Sequence, residues 1–331
     1  MTVRGFDKLA VVTAPKAATL PRTENLKFVD PDMTAKGEKR ARVAFTGYQT
    51  VWFNTGTLCN IACQNCYIES SPRNDRLAYL TRAEVRQFLD EAAALSQPPA
   101  EIGFTGGEPF MNPDILDMIE DSLGGGFRVL VLTNAMKPLQ HFKAGLLDLN
   151  RGFPGQLSLR VSLDHYIPAQ HECIRGVNTW QPAIDGLQWL ARNEFDVSIA
   201  GRSAWAETEA SMRAGYGKLF DELKLSIDAL DSRRLVLFPE MDERVDVPEI
   251  TERCWGILGK SPSDVMCANS RMIIKRKGAE QPVVVSCTLL PYSAEFEMGS
   301  SLAAAMHTVA LNHPHCARFC VLGGASCSVH K

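Results

Sequence analysis

Cysteine carries the first chemical signal in this chain. Ten occur in 331 residues: three in the run CNIACQNC from Cys59 to Cys66, six after residue 250, and Cys173 alone between the two groups. In a reducing compartment, clustered thiols point to metal or redox chemistry rather than to disulfides. A CxxxCxxC loop puts three thiolates within reach of three corners of an iron-sulfur cubane and leaves one iron without a protein ligand. An open coordination position is what turns a structural metal site into a reactive one. Zinc, the alternative occupant, normally takes four protein ligands.

The second group comprises Cys254, Cys267, Cys287, Cys316, Cys320 and Cys327. A second thiol-rich site is therefore expected near the C-terminus. His313 and His315 stand close by, and imidazole with thiolate suits zinc, so a structural zinc stays open there. Cys254, beside Trp255 and Ile257, reads as a small buried hydrophobe, and so does Cys173.

The loops that carry these residues need a scaffold. Short apolar runs at 50–54, 101–105, 127–133, 157–163, 197–200 and 235–238 alternate with helical patterns at 81–95, 112–123, 139–149, 179–192 and 211–225. Thr81 followed by Glu84 forms a capping box at the first of these helices. Six strand-helix repeats predict an α/β fold, a parallel sheet wound with helices into a partial (β/α)6 TIM-like barrel. In such sheets functional residues gather at the carboxyl ends of the strands. After about residue 254 the pattern changes to a hairpin at 272–275 and 283–285, an alanine-rich helix and a Cys/His/Gly tail. Residues 1–45 read as an irregular arm, 46–250 as the barrel core and 251–331 as a small C-terminal domain.

With 45% hydrophobic residues the chain can bury a proper core. The net charge of -3 and pI near 6.2 give no electrostatic reason to expect nucleic acid or an anionic membrane as partner. No run approaches the roughly 20 apolar residues of a membrane helix, and a cytoplasmic location is expected.

The Cys59 to Cys66 loop, followed by the aromatic Tyr67 and placed after the first strand of the series, resembles that of the radical S-adenosylmethionine superfamily. Gly106, Gly107, Glu108 and Pro109, at the end of the second strand, resemble the family's GGEP motif. The resemblance implies a 4Fe-4S cluster on Cys59, Cys63 and Cys66, with S-adenosylmethionine chelated at the fourth iron. Its methionine amino group would be bound by the GGEP backbone and carboxylate. Ser162 and Asp164 resemble the SxD pattern that contacts ribose and carboxylate; this chain has His165 where many members have glycine. His171, Glu172, Arg175 and Gly176 fit the next segment of members with C-terminal auxiliary clusters. Thr133, Asn134 and Arg202 end further strands and would face the same crevice, and Tyr67 would lie beside the adenine through its backbone.

The layout of Cys267, the turn at Gly278 and Cys287 resembles the start of twitch or SPASM domains, though the spacing from Gly278 to Cys287 is longer than usual. The resemblance implies an auxiliary 4Fe-4S cluster, with Cys316 and Cys320 completing a four-thiolate site and Cys327 as substitute or spare. Six late cysteines fall short of the seven or so that two auxiliary clusters need. The activity implied is reductive cleavage of S-adenosylmethionine to a 5'-deoxyadenosyl radical, which abstracts hydrogen from a small molecule or peptide. An external electron donor such as flavodoxin or ferredoxin would feed it. The 45-residue arm is too short for the peptide-recognition domain of many peptide-modifying relatives, which favours a small metabolite. The contrasting reading is a non-catalytic metal or redox protein with two thiolate sites.

Overall fold

The computed structural model describes residues 27–240, 242 and 245–324. Ten strands form in this span: β1 (Arg42–Val43), β2 (Thr50–Asn54), β3 (Glu101–Thr105), β4 (Arg128–Thr133), β5 (Leu157–Ser162), β6 (Asp196–Ser203), β7 (Leu235–Pro239), β8 (Ser270–Ile274), β9 (Val283–Val285) and β10 (Val309–Ala310). The helices are α1 (Arg82–Ala93), α2 (Ile115–Gly124), α3 (Lys137–Gln140), α4 (Lys143–Gly152), α5 (Pro168–Arg175), α6 (Trp180–Arg192), α7 (Glu209–Leu223) and α8 (Cys254–Leu258).

β2 to β7 pair in chain order and all in parallel, the partial barrel that the strand-helix alternation predicts. β2 and β3 are buried at every position, as parallel strands covered on both faces must be. On the outer side Phe53 stacks on Phe104 at 5.6 Å and meets Phe88 of α1 edge-on. Val85, Phe88, Leu89 and Ala92 recur at helical spacing and form the buried stripe of α1, while Thr81 and Glu84 close its capping box.

The expected hairpin forms, with β8 and β9 antiparallel. β8 then joins the main sheet, pairing in parallel with β2 from Thr50 opposite Ser270 to Phe53 opposite Ile273. The expected alanine-rich helix does not form, and residues 301–305 make turns instead. Tertiary bonds take the backbone groups a helix would use: Leu302 N–H donates to Glu91 Oε2 and Leu302 O accepts from the Tyr48 hydroxyl, both at 2.8 Å. The described part of the N-terminal arm is likewise ordered by long-range contacts. Arg40, fully buried, pairs with Glu249 at 2.6 Å, and β1 adds antiparallel to β10.

One helix, α5, had no signal in the periodicity. It begins at Pro168, a first-turn residue with no N–H to satisfy, and just before it the Ile167 N–H donates to the His165 ring Nδ1 at 3.0 Å.

Candidate functional site

The loops leaving the carboxyl ends of β2 to β6 converge on one cavity. Its wall contains Cys59, Cys63, Cys66 and Tyr67 after β2, Gly106 and Gly107 after β3, and Thr133 with Asn134 at the end of β4. Ser162, Asp164 and Arg175 follow from β5, and Arg202 from β6. The remaining two sequence candidates, Glu108 and Pro109, stand behind the wall rather than in it. The three thiols are free, and no further Cys and no His shares the described lining.

The cysteine loop is fastened at several points. Cys59 N–H donates to Ser71 O at 3.1 Å and Gln64 N–H to Ile174 O of α5 at 2.7 Å. Asn134 Nδ2 donates to Asn60 Oδ1 at 2.9 Å, and Arg202 Nη1 to Gln64 O at 3.0 Å. The paired glycines act on the entry to this loop. Gly107 N–H donates to Gly56 O at 2.8 Å, and Glu108 N–H to Leu58 O at 3.1 Å. Gly106 has φ +141°, and a Cβ on Gly107 would stand 2.1 Å from Leu58 O. Only residues without a side chain let β3 press this closely on the segment entering Cys59.

The Glu108 carboxylate is buried and committed to three donors: Thr133 Oγ1 and Asn134 N–H at 2.8 Å each, and Phe110 N–H at 3.2 Å. Burial nonetheless pushes its pKa up to about 7. Its direct partners, Thr133 and Asn134, are themselves wall residues, so Glu108 acts on the cavity through them. Pro109 opens the short turn Pro109–Met111.

Asp164 is gripped by Arg175, with Nε at 2.7 Å and Nη2 at 3.3 Å, and Arg202 Nε lies 3.8 Å away. Burial opposes its charge, but the two arginines outweigh burial and hold the carboxyl below its usual range. Burial pushes the Cys59 thiol up to about 12, with Glu108 adding to the effect. It raises Cys63 too, against the pull of Arg175. Thiols this buried need a bound cation to ionise at neutral pH, which is the condition of metal ligands. His165, where glycine is common, is fully buried. Its Nδ1 accepts from the Ile167 N–H ahead of α5, its Nε2 bonds Glu207 Oε1 at 3.0 Å, and its ring stacks on Tyr166.

Sequence reasoning missed Ser70, Arg160, Phe238, Leu289 and Phe319, all of which line the cavity. They belong to no motif. Position offers the only signal: Leu289 lies two residues after Cys287, and Phe319 directly precedes Cys320. Phe319 stacks on Phe238 of β7 at 5.2 Å.

A second cavity is lined by Cys267, Cys287, Cys316 and Cys320, together with Ser286 and His315. Leu289 lines both cavities, so the two adjoin. Burial, then Cys287, pushes the Cys267 thiol up to about 12; burial followed by Cys287 and Cys267 raises Cys316 well above the thiol range. Among the described residues no three His, Cys, Asp or Glu side chains converge on a point that could hold a single metal ion. Cys327 lies outside the described residues. Cys254 is absent from the cavity lining, and its sulfur accepts from Thr251 N–H at 3.4 Å. Cys173 is exposed rather than buried, because α5 turns His171 and Ile174 inward. Among the described residues no helix is long and apolar enough to cross a membrane.

Comparison with known proteins agrees with this geometry. The chain is 26% identical over 142 residues to the AdoMet-dependent heme synthase of Methanosarcina barkeri, covering 43% of this chain and 38% of that protein. It is 31% identical over 143 residues to the GTP 3',8-cyclase of Tolumonas auensis, covering 41% of this chain and 39% of that protein. The match thus spans about two fifths of the length of either relative. The fold is that of Streptococcus suis SuiB bound to S-adenosylmethionine, with TM-score 0.56 at 11% identity over 76% of this chain and 63% of SuiB. It is also that of anSMEcpe with bound AdoMet, with TM-score 0.55 at 13% identity over 77% of this chain and 76% of that one. Residues 53–202, from the second strand through Arg202, match the Radical SAM superfamily, whose members are enzymes.

Proposed function

We propose that the chain reductively cleaves S-adenosylmethionine at a 4Fe-4S cluster on Cys59, Cys63 and Cys66, and that the resulting 5'-deoxyadenosyl radical abstracts hydrogen from an organic substrate. The observation that carries this reading is three free thiols on one cavity wall, with no further Cys or His among the described residues that line it. When bound, the cluster supplies the electron that breaks the sulfonium bond and the open iron that chelates the methionine amino and carboxylate groups. The chain's own residues bind and orient. Ser162 and Asp164 offer a hydroxyl and a carboxylate to ribose, and Arg175 and Arg202 supply positive charge for the methionine carboxylate. Gly106 and Gly107 keep the wall open to close approach. Tyr67 is assigned to the adenine, and Thr133 and Asn134, held by Glu108, to the methionine end.

Cys267, Cys287, Cys316 and Cys320 are assigned to an auxiliary 4Fe-4S cluster, with Cys327 as a substitute ligand, in a C-terminal unit of twitch type. Four thiols on the wall of one cavity support the assignment. Adjacency across Leu289 suits a role as electron acceptor or substrate anchor. A flavodoxin or ferredoxin is the proposed donor. The substrate is a small molecule or a peptide: likeness to a GTP 3',8-cyclase supports the first, and likeness to SuiB, solved with its precursor peptide SuiA, supports the second.

The test is anaerobic reconstitution followed by dithionite and S-adenosylmethionine. Iron, sulfide and 5'-deoxyadenosine are expected. Cys63→Ala should abolish cleavage, whereas Cys316→Ala should spare it and stop substrate turnover. Protein that binds zinc alone, or full cleavage in Cys63→Ala, would sink the proposal.

A further inference from the structure

We infer that Ser286 donates a hydrogen bond to a sulfur of the cluster held by the late thiols and thereby raises that cluster's reduction potential. The inference rests on the assignment of Cys267, Cys287, Cys316 and Cys320 to a cluster. Ser286 follows β9 directly and precedes Cys287. It is 1% exposed, it lines the four-thiol cavity, and its Oγ has no hydrogen-bond partner. Its backbone is accounted for, since the N–H donates to Phe296 O at 3.0 Å.

A buried hydroxyl left unbonded costs its full desolvation, so an orphan of this kind calls for a partner that the protein alone does not supply. The nearby Thr288 makes the contrast: its hydroxyl is satisfied by the Met266 sulfur at 3.9 Å. Much of the cavity wall around Ser286 presents aliphatic or aromatic side chains, including those of Val265, Leu290, Phe296 and Leu311, which hold no acceptor. His315 is the other acceptor on the wall, and no bond joins it to Ser286. What the cavity offers a hydroxyl proton is sulfur. Once the thiols are ionised on a cluster, thiolate and sulfide become anionic acceptors, and a bond to an anionic sulfur is stronger than one to a neutral thiol. The reduced cluster carries one more negative charge than the oxidised one, so the bond favours reduction. Ser286 is on this account a positioning and tuning residue, not a ligand.

Its test uses the full chain, reconstituted in a Cys63→Ala background so that the auxiliary cluster alone contributes, with the potential followed by EPR at poised potentials. Ser286→Ala is expected to keep its iron and become about tenfold harder to reduce, which is about 59 mV for one electron. Ser286→Thr, which keeps the hydroxyl, should stay near the parent value. A second measurement separates tuning from mere packing. In the iron-free protein Ser286→Ala removes an unbonded hydroxyl and should not lower the melting temperature, whereas in the loaded protein it should.

An unchanged potential at full iron content overturns the inference and leaves the cluster assignment standing. Loss of iron in Ser286→Ala also overturns it, by making Ser286 a ligand. Failure of the Cys63→Ala parent to hold any iron overturns both, and should Ser286→Thr not fold, the alanine variant still decides.

Discussion

Replacing Gly107 with alanine puts a methyl group where the structure has a carbonyl. The new Cβ would stand 2.1 Å from Leu58 O and 2.6 Å from Leu58 C, and reaching the 3.0 Å minimum seen for real Cβ atoms requires a separation of about 0.9 Å. No flexible side chain can give way, because the obstacle is backbone one residue before Cys59. The shift would break the Gly107 to Gly56 and Glu108 to Leu58 hydrogen bonds. Two lost bonds at about 1 kcal/mol each, with about 1–3 kcal/mol for overpacking, give a loss of about 3–5 kcal/mol. Set against the ~5–15 kcal/mol stability of a typical domain, that is a large fraction. Gly124 is the control. It closes α2 with nothing within 4 Å of the position an added methyl would take, so Gly124→Ala should be neutral or stabilising by up to about 1 kcal/mol. Urea denaturation of the iron-free proteins, with iron counts after reconstitution, measures both effects. Gly107→Ala that unfolds with the parent and loads the same iron would refute the idea that this glycine seats the cysteine loop.

Glu108, pushed up to about 7 from 4.5, holds its proton better folded than unfolded. Its contribution to stability is therefore present below pH 4.5 and lost as pH rises through about 7, a change of about 3 kcal/mol. Denaturation midpoints between pH 5 and 8 should fall less steeply in Glu108→Gln than in the parent, and equal slopes would remove Glu108 from the account. Arg175→Ala leaves the buried Asp164 carboxylate with Arg202 alone at 3.8 Å and should cost about 3–5 kcal/mol. Adding Asp164→Asn should recover part of that loss, and strictly additive costs in the double-mutant cycle would show that the pair is not coupled.

Much of the architecture was legible because its causes are local. Alternating apolar runs identified the six strands β2 to β7, and Thr81 with Glu84 marked the start of α1. The segment 139–149 was less legible and divides into α3 and α4, which meet at His141 and Phe142. The helix α5 was missed and the alanine-rich segment misread because long-range or unusual partners decided them: a histidine ring bonding the Ile167 N–H ahead of α5, and Tyr48 and Glu91 as competitors for the Leu302 backbone. The first thiol loop could be found by spacing alone, while Ser70, Phe238 and Phe319 could not, since a wall residue is defined by what it faces.

Spacing of three thiols within eight residues, a strand period and a capping pair are properties of short stretches of chain, so residue order settles them before any folding. What folding had to settle involves distance in sequence and removal from water. The pairing of β8 with β2 joins residues more than two hundred apart, and Cys267, Cys287, Cys316 and Cys320 meet at one cavity only when the barrel edge, hairpin and tail pack together. The turning of the Glu108 carboxylate to Thr133 and Asn134, the grip of Arg175 on Asp164 and the elevated thiols all arise from burial, and burial belongs to the packed molecule rather than to any single stretch of its sequence.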